Sequence, residues 1–239
     1  MIDYHSHFLP GIDDGSKSIN ESLYMLSAWI NQGVDNIVAT PHFYADRNTP
    51  ARFLEDRKNS YNSLKRVVAG YSPELQARFP GVLLGAEVHY FDGISHYEGL
   101  RDLCFEGTNL MLLEMPFRDW SERILDEVAS LHYTTGIMPI AAHIERYFDQ
   151  RLINEFIDLD IFFQSNAHFI YDKKSTRKAC KLLKSGTITF IGSDAHNTDT
   201  RPVNIGLAEE AITKTLGSQF ITELTNKQFE IISDYSRSD

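Results

Sequence analysis

Seven short apolar runs alternate with helix-length segments along this chain, and almost every run stops on a histidine or a carboxylate. Ile2 to Tyr4 leads into His5-Ser6-His7, Asn36 to Thr40 into Pro41-His42, Val82 to Ala86 into Glu87, and Asn109 to Leu113 into Glu114. Ile137 to Ala142 then leads into His143, Ile161 to Ser165 into Asn166, and Ile188 to Gly192 into Ser193-Asp194-Ala195-His196. Runs this short and this continuously apolar, separated by helical segments, are the pattern of parallel βαβ units covered on both faces.

The intervening segments carry helix punctuation. Ser18-Ile19-Asn20-Glu21 has capping-box spacing and opens an apolar face of Leu23, Leu26 and Ile30 that Gly33 closes. Thr49-Pro50 supplies an N-cap and a first-turn proline for a helix that stops near Gly70. Further helices are expected from about Ser121 to Thr135, before Gly136, and from about Lys173 to Lys184, before Gly186. A closed or nearly closed (β/α) barrel is the simplest architecture. A doubly wound open sheet has the same alternation, and the placement of the polar residues favours the barrel, whose strand ends converge on one mouth. With 239 residues, no repeat and no linker rich in Pro, Gly or Ser, the chain is expected to be one domain, 1–239.

A single buried histidine or glutamate is most often a hydrogen-bonded core residue. Eight ligand-type residues at strand ends are another matter, because a barrel brings positions far apart in sequence to one face. Imidazole and carboxylate ligands without thiolate suit Mn²⁺, Zn²⁺ or Fe, and so many of them suit more than one ion. His89, His96 and His132 lack that placement and are read as ordinary polar residues, His168 is left open, and the Phe43 to Asn48 loop is expected to carry substrate recognition.

Composition excludes several other readings. Hydrophobic residues make up 42% and charged residues 23%, which is globular rather than disordered. No apolar run approaches the ~20 residues of a spanning helix, and the N-terminus has no signal-peptide pattern, so a soluble, unexported protein without membrane insertion is expected. Cys104 and Cys180 are far apart, and neither opens a Cys-x₅-Arg phosphate-binding loop, which speaks against a thiolate phosphatase. A net charge of −10 without a basic cluster disfavours nucleic acid as a partner, and with it a nuclease.

The motifs His5-Ser6-His7, Thr40-Pro41-His42, Gly85-Ala86-Glu87, Glu114-Met115-Pro116, His143-Ile144-Glu145-Arg146 and Gly192-Ser193-Asp194-Ala195-His196-Asn197 resemble the polymerase and histidinol phosphatase (PHP) superfamily. Within it, Leu9-Pro10-Gly11-Ile12-Asp13-Asp14-Gly15-Ser16 and Arg201-Pro202 are similar to the manganese-dependent bacterial protein tyrosine phosphatases of capsule and exopolysaccharide operons. The resemblance runs from Met1 to about Pro202 and implies a distorted TIM-like (β/α)₇ barrel with two or three Mn²⁺ ions, Fe or Zn being the other metals these ligands accept. By resemblance, His5, His7, Glu87 and Asp194 hold a first ion. Glu87 bridges to a second completed by Glu114 and His143, and Asp14, His42 and His196 hold a third.

Arg146, three residues after His143, and Arg201, seven after Asp194, are placed to reach the same mouth as bidentate phosphate clamps. The function that the resemblance implies is hydrolysis of phosphotyrosine in a phosphotyrosyl protein, with a bacterial tyrosine kinase tail as partner and a cytoplasmic setting. Hydrolysis of histidinol phosphate or another small phosphomonoester on the same ions is the main alternative, and a non-catalytic metal-dependent binding module is a third class.

Overall fold

The computed structural model describes residues 1–237, so the last two residues of the expected 1–239 domain lie outside the described residues. Among the described residues nine strands form: β1 Ile2–Ser6, β2 Asn36–Ala39, β3 His42–Phe43, β4 Gly81–Leu84, β5 Glu87–His89, β6 Leu110–Glu114, β7 Met138–Ala141, β8 Phe162–Asn166 and β9 Phe190–Gly192. The helices are α1 Ile19–Asn31, α2 Pro50–Val68, α3 Pro73–Gln76, α4 Glu122–Thr135, α5 Ile153–Ile157, α6 Ala167–Tyr171, α7 Thr176–Lys184, α8 Ile205–Leu216 and α9 Ser218–Asp234. Every strand pair is parallel, in the orders β1-β2-β4 and β3-β5-β6-β7-β8-β9.

Two of the stretches that begin as strands are interrupted. The runs beginning at Asn36 and Gly81 each break after four residues and resume as β3 and β5. Pro41 cannot donate to a ladder, and Gly85 is needed because a Cβ there would come within 2.8 Å of the Phe105 ring. Each break re-aims the chain just before a polar residue, His42 in one case and Glu87 in the other.

The parallel sheet is curled. Ser6 bridges Ala195 beyond β9, the His7 N–H donates to the Ala195 carbonyl at 2.8 Å, and the Asp194 N–H donates to the His5 carbonyl at 2.9 Å. Alternate residues of β6 enter two different apolar clusters. Leu110 and Leu112 join Tyr4, Val38, Met138, Ile140 and Phe190, whereas Met111 and Leu113 join the larger cluster shared with the helices. Glu114 continues the Leu110-Leu112 face to the C-terminal end of its strand. Near the start of β6, the Asn109 N–H donates to the Tyr235 carbonyl just after α9, and Ser236 bridges Thr108.

The caps follow the sequence with one change. Ser18 Oγ accepts from the Glu21 N–H at 3.2 Å as a capping box requires, but Glu21 Oε2 reaches back to the Lys17 N–H at 2.7 Å rather than to that of Ser18. The helix expected from Lys173 begins at Thr176 and is preceded by the separate short α6. Among the described residues no helix is long and apolar enough to cross a membrane.

Candidate metal centre and phosphate clamp

All nine candidate ligands come together at the C-terminal ends of the strands. Glu87, fully buried as the first residue of β5, stands at the centre. Its Oε2 is 3.2 Å from Nε2 of His5, 3.2 Å from Nε2 of His7 and 3.0 Å from Nδ1 of His42, and its Oε1 is 2.7 Å from Nε2 of His143. Asp194 Oδ1 lies 3.6 Å from Nε2 of His5, 3.5 Å from Nε2 of His7 and 3.6 Å from Nδ1 of His196. Asp14, on the loop after β1, is 3.4 Å from both His42 Nε2 and His196 Nε2. Four overlapping groups have metal-binding spacing: His7, Asp14, His42 and His196; His5, His7 and Glu87; His5, His143 and Asp194; and His42, Glu87 and Glu114.

Local backbone geometry makes this convergence possible. The pairing of β1 with β2 shifts register between Asp3 and Ser6, and His5 Nε2 and His7 Nε2 end 3.0 Å apart. His143 and Asp194 both adopt left-handed backbone, with φ of 54° and 55°, which costs free energy for a side-chain-bearing residue and turns the chain sharply where β7 and β9 end. Gly192, just before, could not carry a Cβ without striking that of His5.

Three of the imidazoles are oriented by partners on their outer nitrogen. His5 Nδ1 is 3.3 Å from Gln164 Oε1, His7 Nδ1 is 2.8 Å from Asp13 Oδ2, and His143 Nδ1 is 2.9 Å from Asn166 Oδ1. Each contact fixes the ring so that Nε2 points at Glu87, the arrangement that orients metal-binding histidines. Sequence reasoning missed Asp13, Gln164 and Asn166, since nothing in their local sequence marks which ring they will meet. It also set aside His89, whose Nδ1 is 3.0 Å from Glu114 Oε2. A signal existed there, because His89 is two residues beyond Glu87 and therefore on the same face of the strand. His168 lies on α6, outside every metal-spaced group, with its ring packed 5.2 Å from that of Tyr171.

The electrostatics favour deprotonated carboxylates. Burial pushes the Glu87 carboxyl up, but the charges of His5 and His143 outweigh it and hold the group well below the usual range. Asp194 is likewise held low against burial, by His143 and His5. Burial, reinforced by His7, pushes His196 down to about 3. His7 is the opposite case, for Asp13 overcomes burial and lifts it to about 10.

Glu87 Oε2, Asp194 Oδ1, His42 Nδ1 and His196 Nε2 are buried without a hydrogen-bond partner, although buried polar atoms are nearly always paired. Carboxylate oxygens and imidazole lone pairs converging without donors fit divalent cations with nitrogen and oxygen preference. Beside them, the Arg146 guanidinium donates to Asp194 Oδ2 at 2.9 Å and to Glu114 Oε1 at 3.3 Å, and Arg201 donates to the same Asp194 Oδ2 at 2.6 Å. Both arginine side chains remain about one-third exposed, at 32% and 39%.

Against known proteins, a model of the family described as capsular polysaccharide synthesis, CpsB/CapC, matches residues 1–232. The tyrosine-protein phosphatase CpsB of Streptococcus pneumoniae is 27% identical over 238 residues, covering 94% of each chain. A putative tyrosine-protein phosphatase CapC of Staphylococcus aureus is 30% identical over 215 residues, covering 84% of this chain and 79% of that one. A solved structure from work on YwqE of Bacillus subtilis and CpsB of Streptococcus pneumoniae, described as unique metal-dependent tyrosine phosphatases, superimposes with a TM-score of 0.79 at 25% identity, covering 100% of this chain and 96% of that one.

Proposed function

The chain belongs to the capsular polysaccharide synthesis CpsB/CapC family, and from that premise we propose that it is a metal-dependent protein-tyrosine phosphatase. The observation that carries the reading is the convergence of Glu87 and Asp194 with five histidines, flanked by two arginines that share one Asp194 oxygen. Its relatives bear tyrosine-phosphatase names over nearly the whole chain.

The metal is read as Mn²⁺, in two or three ions, with Fe or Zn as substitutes. His5, His7, Glu87 and Asp194 would hold one, Glu87, Glu114 and His143 a second, and Asp14, His42 and His196 a third. Divalent ions supply activation of water and neutralisation of phosphoryl charge. Asp13, Gln164 and Asn166 would orient the imidazoles so that, once metal displaces any inner proton, the outer nitrogen keeps its hydrogen and the inner nitrogen faces the ion. Arg146 and Arg201 grip the phosphoryl oxygens and orient the ester. A phenol leaves with a pKa of ~10, so tyrosyl departure needs less protonation than an alkyl alcohol does, and guanidinium charge assists it electrostatically.

The curled sheet is read as the distorted (β/α)₇ barrel, with β2 and β3 as one interrupted strand and β4 and β5 as another, in a single domain over residues 1–239. The physiological substrate is read as the phosphotyrosyl tail of a bacterial tyrosine kinase governing capsule or exopolysaccharide synthesis, met in the cytoplasm.

The test strips the protein with chelator, restores Mn²⁺, and compares a phosphotyrosyl peptide, a phosphoseryl peptide and histidinol phosphate at matched concentrations. Mn²⁺-dependent preference for phosphotyrosine is expected. Preference for histidinol phosphate would replace the reading with a small-molecule phosphatase, and metal binding without turnover would point to a binding module.

A further inference from the structure

The loop after β3 is unused by the chemistry above, yet it stands at the mouth. Beside His89 a cleft of about 600 Å³ opens, lined by Tyr90, Phe91, Pro116 and Phe117 among others. A second cavity of about 440 Å³ opens over Asp14 and His42. Tyr44 and Arg47 line both, so this pair forms the ridge between them.

The ridge is anchored. The Tyr44 ring centroid is 5.4 Å from that of His42 and 5.4 Å from that of His89. The Arg47 and Asn48 N–H groups donate to the Tyr44 carbonyl at 3.0 and 3.1 Å, closing a turn. That turn lays the Arg47 guanidinium over the Tyr44 ring, 4.4 Å from its centroid. A guanidinium stacked by its face keeps the N–H donors on its edge free. Among the described residues no carboxylate lies within ion-pair distance of Arg47. Arg118, which lines the same cleft, is instead neutralised by Asp92 at 2.7 Å.

We propose that Arg47 is a specificity-determining residue: it binds an anionic group, carboxylate or phosphoryl, on the substrate peptide beside the phosphotyrosine, while the flanking segment lies in the cleft over Phe91 and Phe117. This rests on the tyrosine-phosphatase reading. Phe117, 68% exposed, offers apolar surface along the cleft to the peptide's neighbouring side chains. Next to Arg47, Asp46 lines the cleft and Asp14 the adjoining cavity, where Asp13 and Asp56 are already paired with His7 and Arg52. A guanidinium without an ion-pair partner at the edge of the cleft, with Asp46 beside it, therefore sets position as well as affinity, by attraction at one point and repulsion next to it.

The experiment uses Mn²⁺-loaded wild-type protein with Arg47→Ala and Arg47→Lys, and four substrates. Three are phosphotyrosyl peptides with a neighbouring Asp, a neighbouring phosphotyrosine or a neighbouring Ala, and the fourth is p-nitrophenyl phosphate. Non-hydrolysable phosphonate versions of the peptides are titrated in parallel to read binding without turnover. Arg47→Ala is expected to raise KM and weaken phosphonate binding about tenfold for the anionic peptides, as loss of one exposed charge-assisted contact should. It should leave kcat, the Ala peptide and p-nitrophenyl phosphate unchanged, with partial rescue by Arg47→Lys. If the Asp arm responds and the phosphotyrosine arm does not, the group is a carboxylate, and the reverse identifies a phosphoryl. Equal binding of anionic and Ala peptides by the wild type, or an equal effect of Arg47→Ala on all substrates, overturns the proposal. Failure of the phosphatase reading shows separately, as absence of Mn²⁺-dependent turnover of every substrate by the wild type.

Discussion

Arg146 and Arg201 converge on one atom, Oδ2 of Asp194, at 2.9 and 2.6 Å, from segments that follow different strands of the sheet. A carboxylate that accepts from two guanidinia aligns both toward the same point, and that point adjoins the oxygens and nitrogens gathered around Glu87. Positioning of the two proposed clamps and assembly of the proposed ligand cluster are thus coupled through Asp194.

Arg146→Ala and Arg201→Ala should each lower kcat for a phosphotyrosyl peptide by roughly 10²-fold with bound metal unchanged, the scale for removing one charge-stabilising donor. His5→Ala and Asp194→Ala should lose metal as well as activity. Elemental analysis beside steady-state kinetics separates the two classes, and full metal occupancy in both ligand variants would refute the ligand assignment.

Adding Mn²⁺ to chelator-stripped protein should release protons and raise the melting temperature. His7 is lifted to about 10 by Asp13, so at pH 8 its ring holds a proton that ligation must displace. The stabilisation should be about 2.7 kcal/mol when free metal is 100-fold above its dissociation constant. An indicator dye in weak buffer and a thermal melt check both.

Asn166 bonds His143 Nδ1 at 2.9 Å and Asp194 Oδ2 at 3.0 Å. Asn166→Ala should weaken metal affinity by about 10–100-fold without unfolding the protein, the usual cost of losing a ligand's orienting partner. Competitive chelation titrations would show it. Unchanged affinity would mean that His143 is oriented by packing alone.

Cys104 is buried, and burial raises its thiol to about 12, so it stays protonated and unreactive at working pH. Alkylating reagents that leave the fold intact should spare activity, while chelators abolish it. Parallel inactivation assays test this, and rapid thiol-dependent inactivation would contradict the metal-based reading.

Trp29→Phe should destabilise the fold by ~1–3 kcal/mol, because Trp29 Nε1–H donates at 2.7 Å to Asp3 Oδ2 in a fully buried setting. Burial lifts the Asp3 carboxyl from 3.8 to about 6, so the stability tied to its protonation is complete below 3.8 and is lost as pH rises through 6. Removing a donor to the charged form lifts that carboxyl further. The variant's deficit should therefore be larger at pH 7.5 than at pH 5, as urea melts at both values would show.

How much of this was legible in the sequence depended on whether the signal was local. The apolar runs, the Ser18 and Thr49 caps and the residue type at each strand end are local, and they located the strand cores, four of the helices and eight residues of the cluster, whereas Asp14 came only from the family resemblance and the helices over Ile205–Leu216 and Ser218–Asp234 were not read. The breaks at Pro41 and Gly85 were not read as breaks, because only the facing Phe105 ring and the neighbouring strand reveal what they accomplish. Asp13 passed unnoticed beside Asp14, since adjacent carboxylates look alike until the loop points one at His7 and the other toward His42 and His196. Gln164 and Asn166 read as the polar end of an apolar strand, and their partners on β1 and beyond β7 and β9 are set by tertiary pairing alone.

The cluster joins the two ends of the sheet in time as well as in space. Asp3 meets Ser193 across 190 residues, and His5 faces Asp194. A chain still emerging from the ribosome can fold its first helices and display His5, His7 and His42, but it has neither Asp194 nor the arginine that follows. On the proposed assignment, catalytic competence arrives late in synthesis, and truncated translation products carry only part of the proposed ligand set.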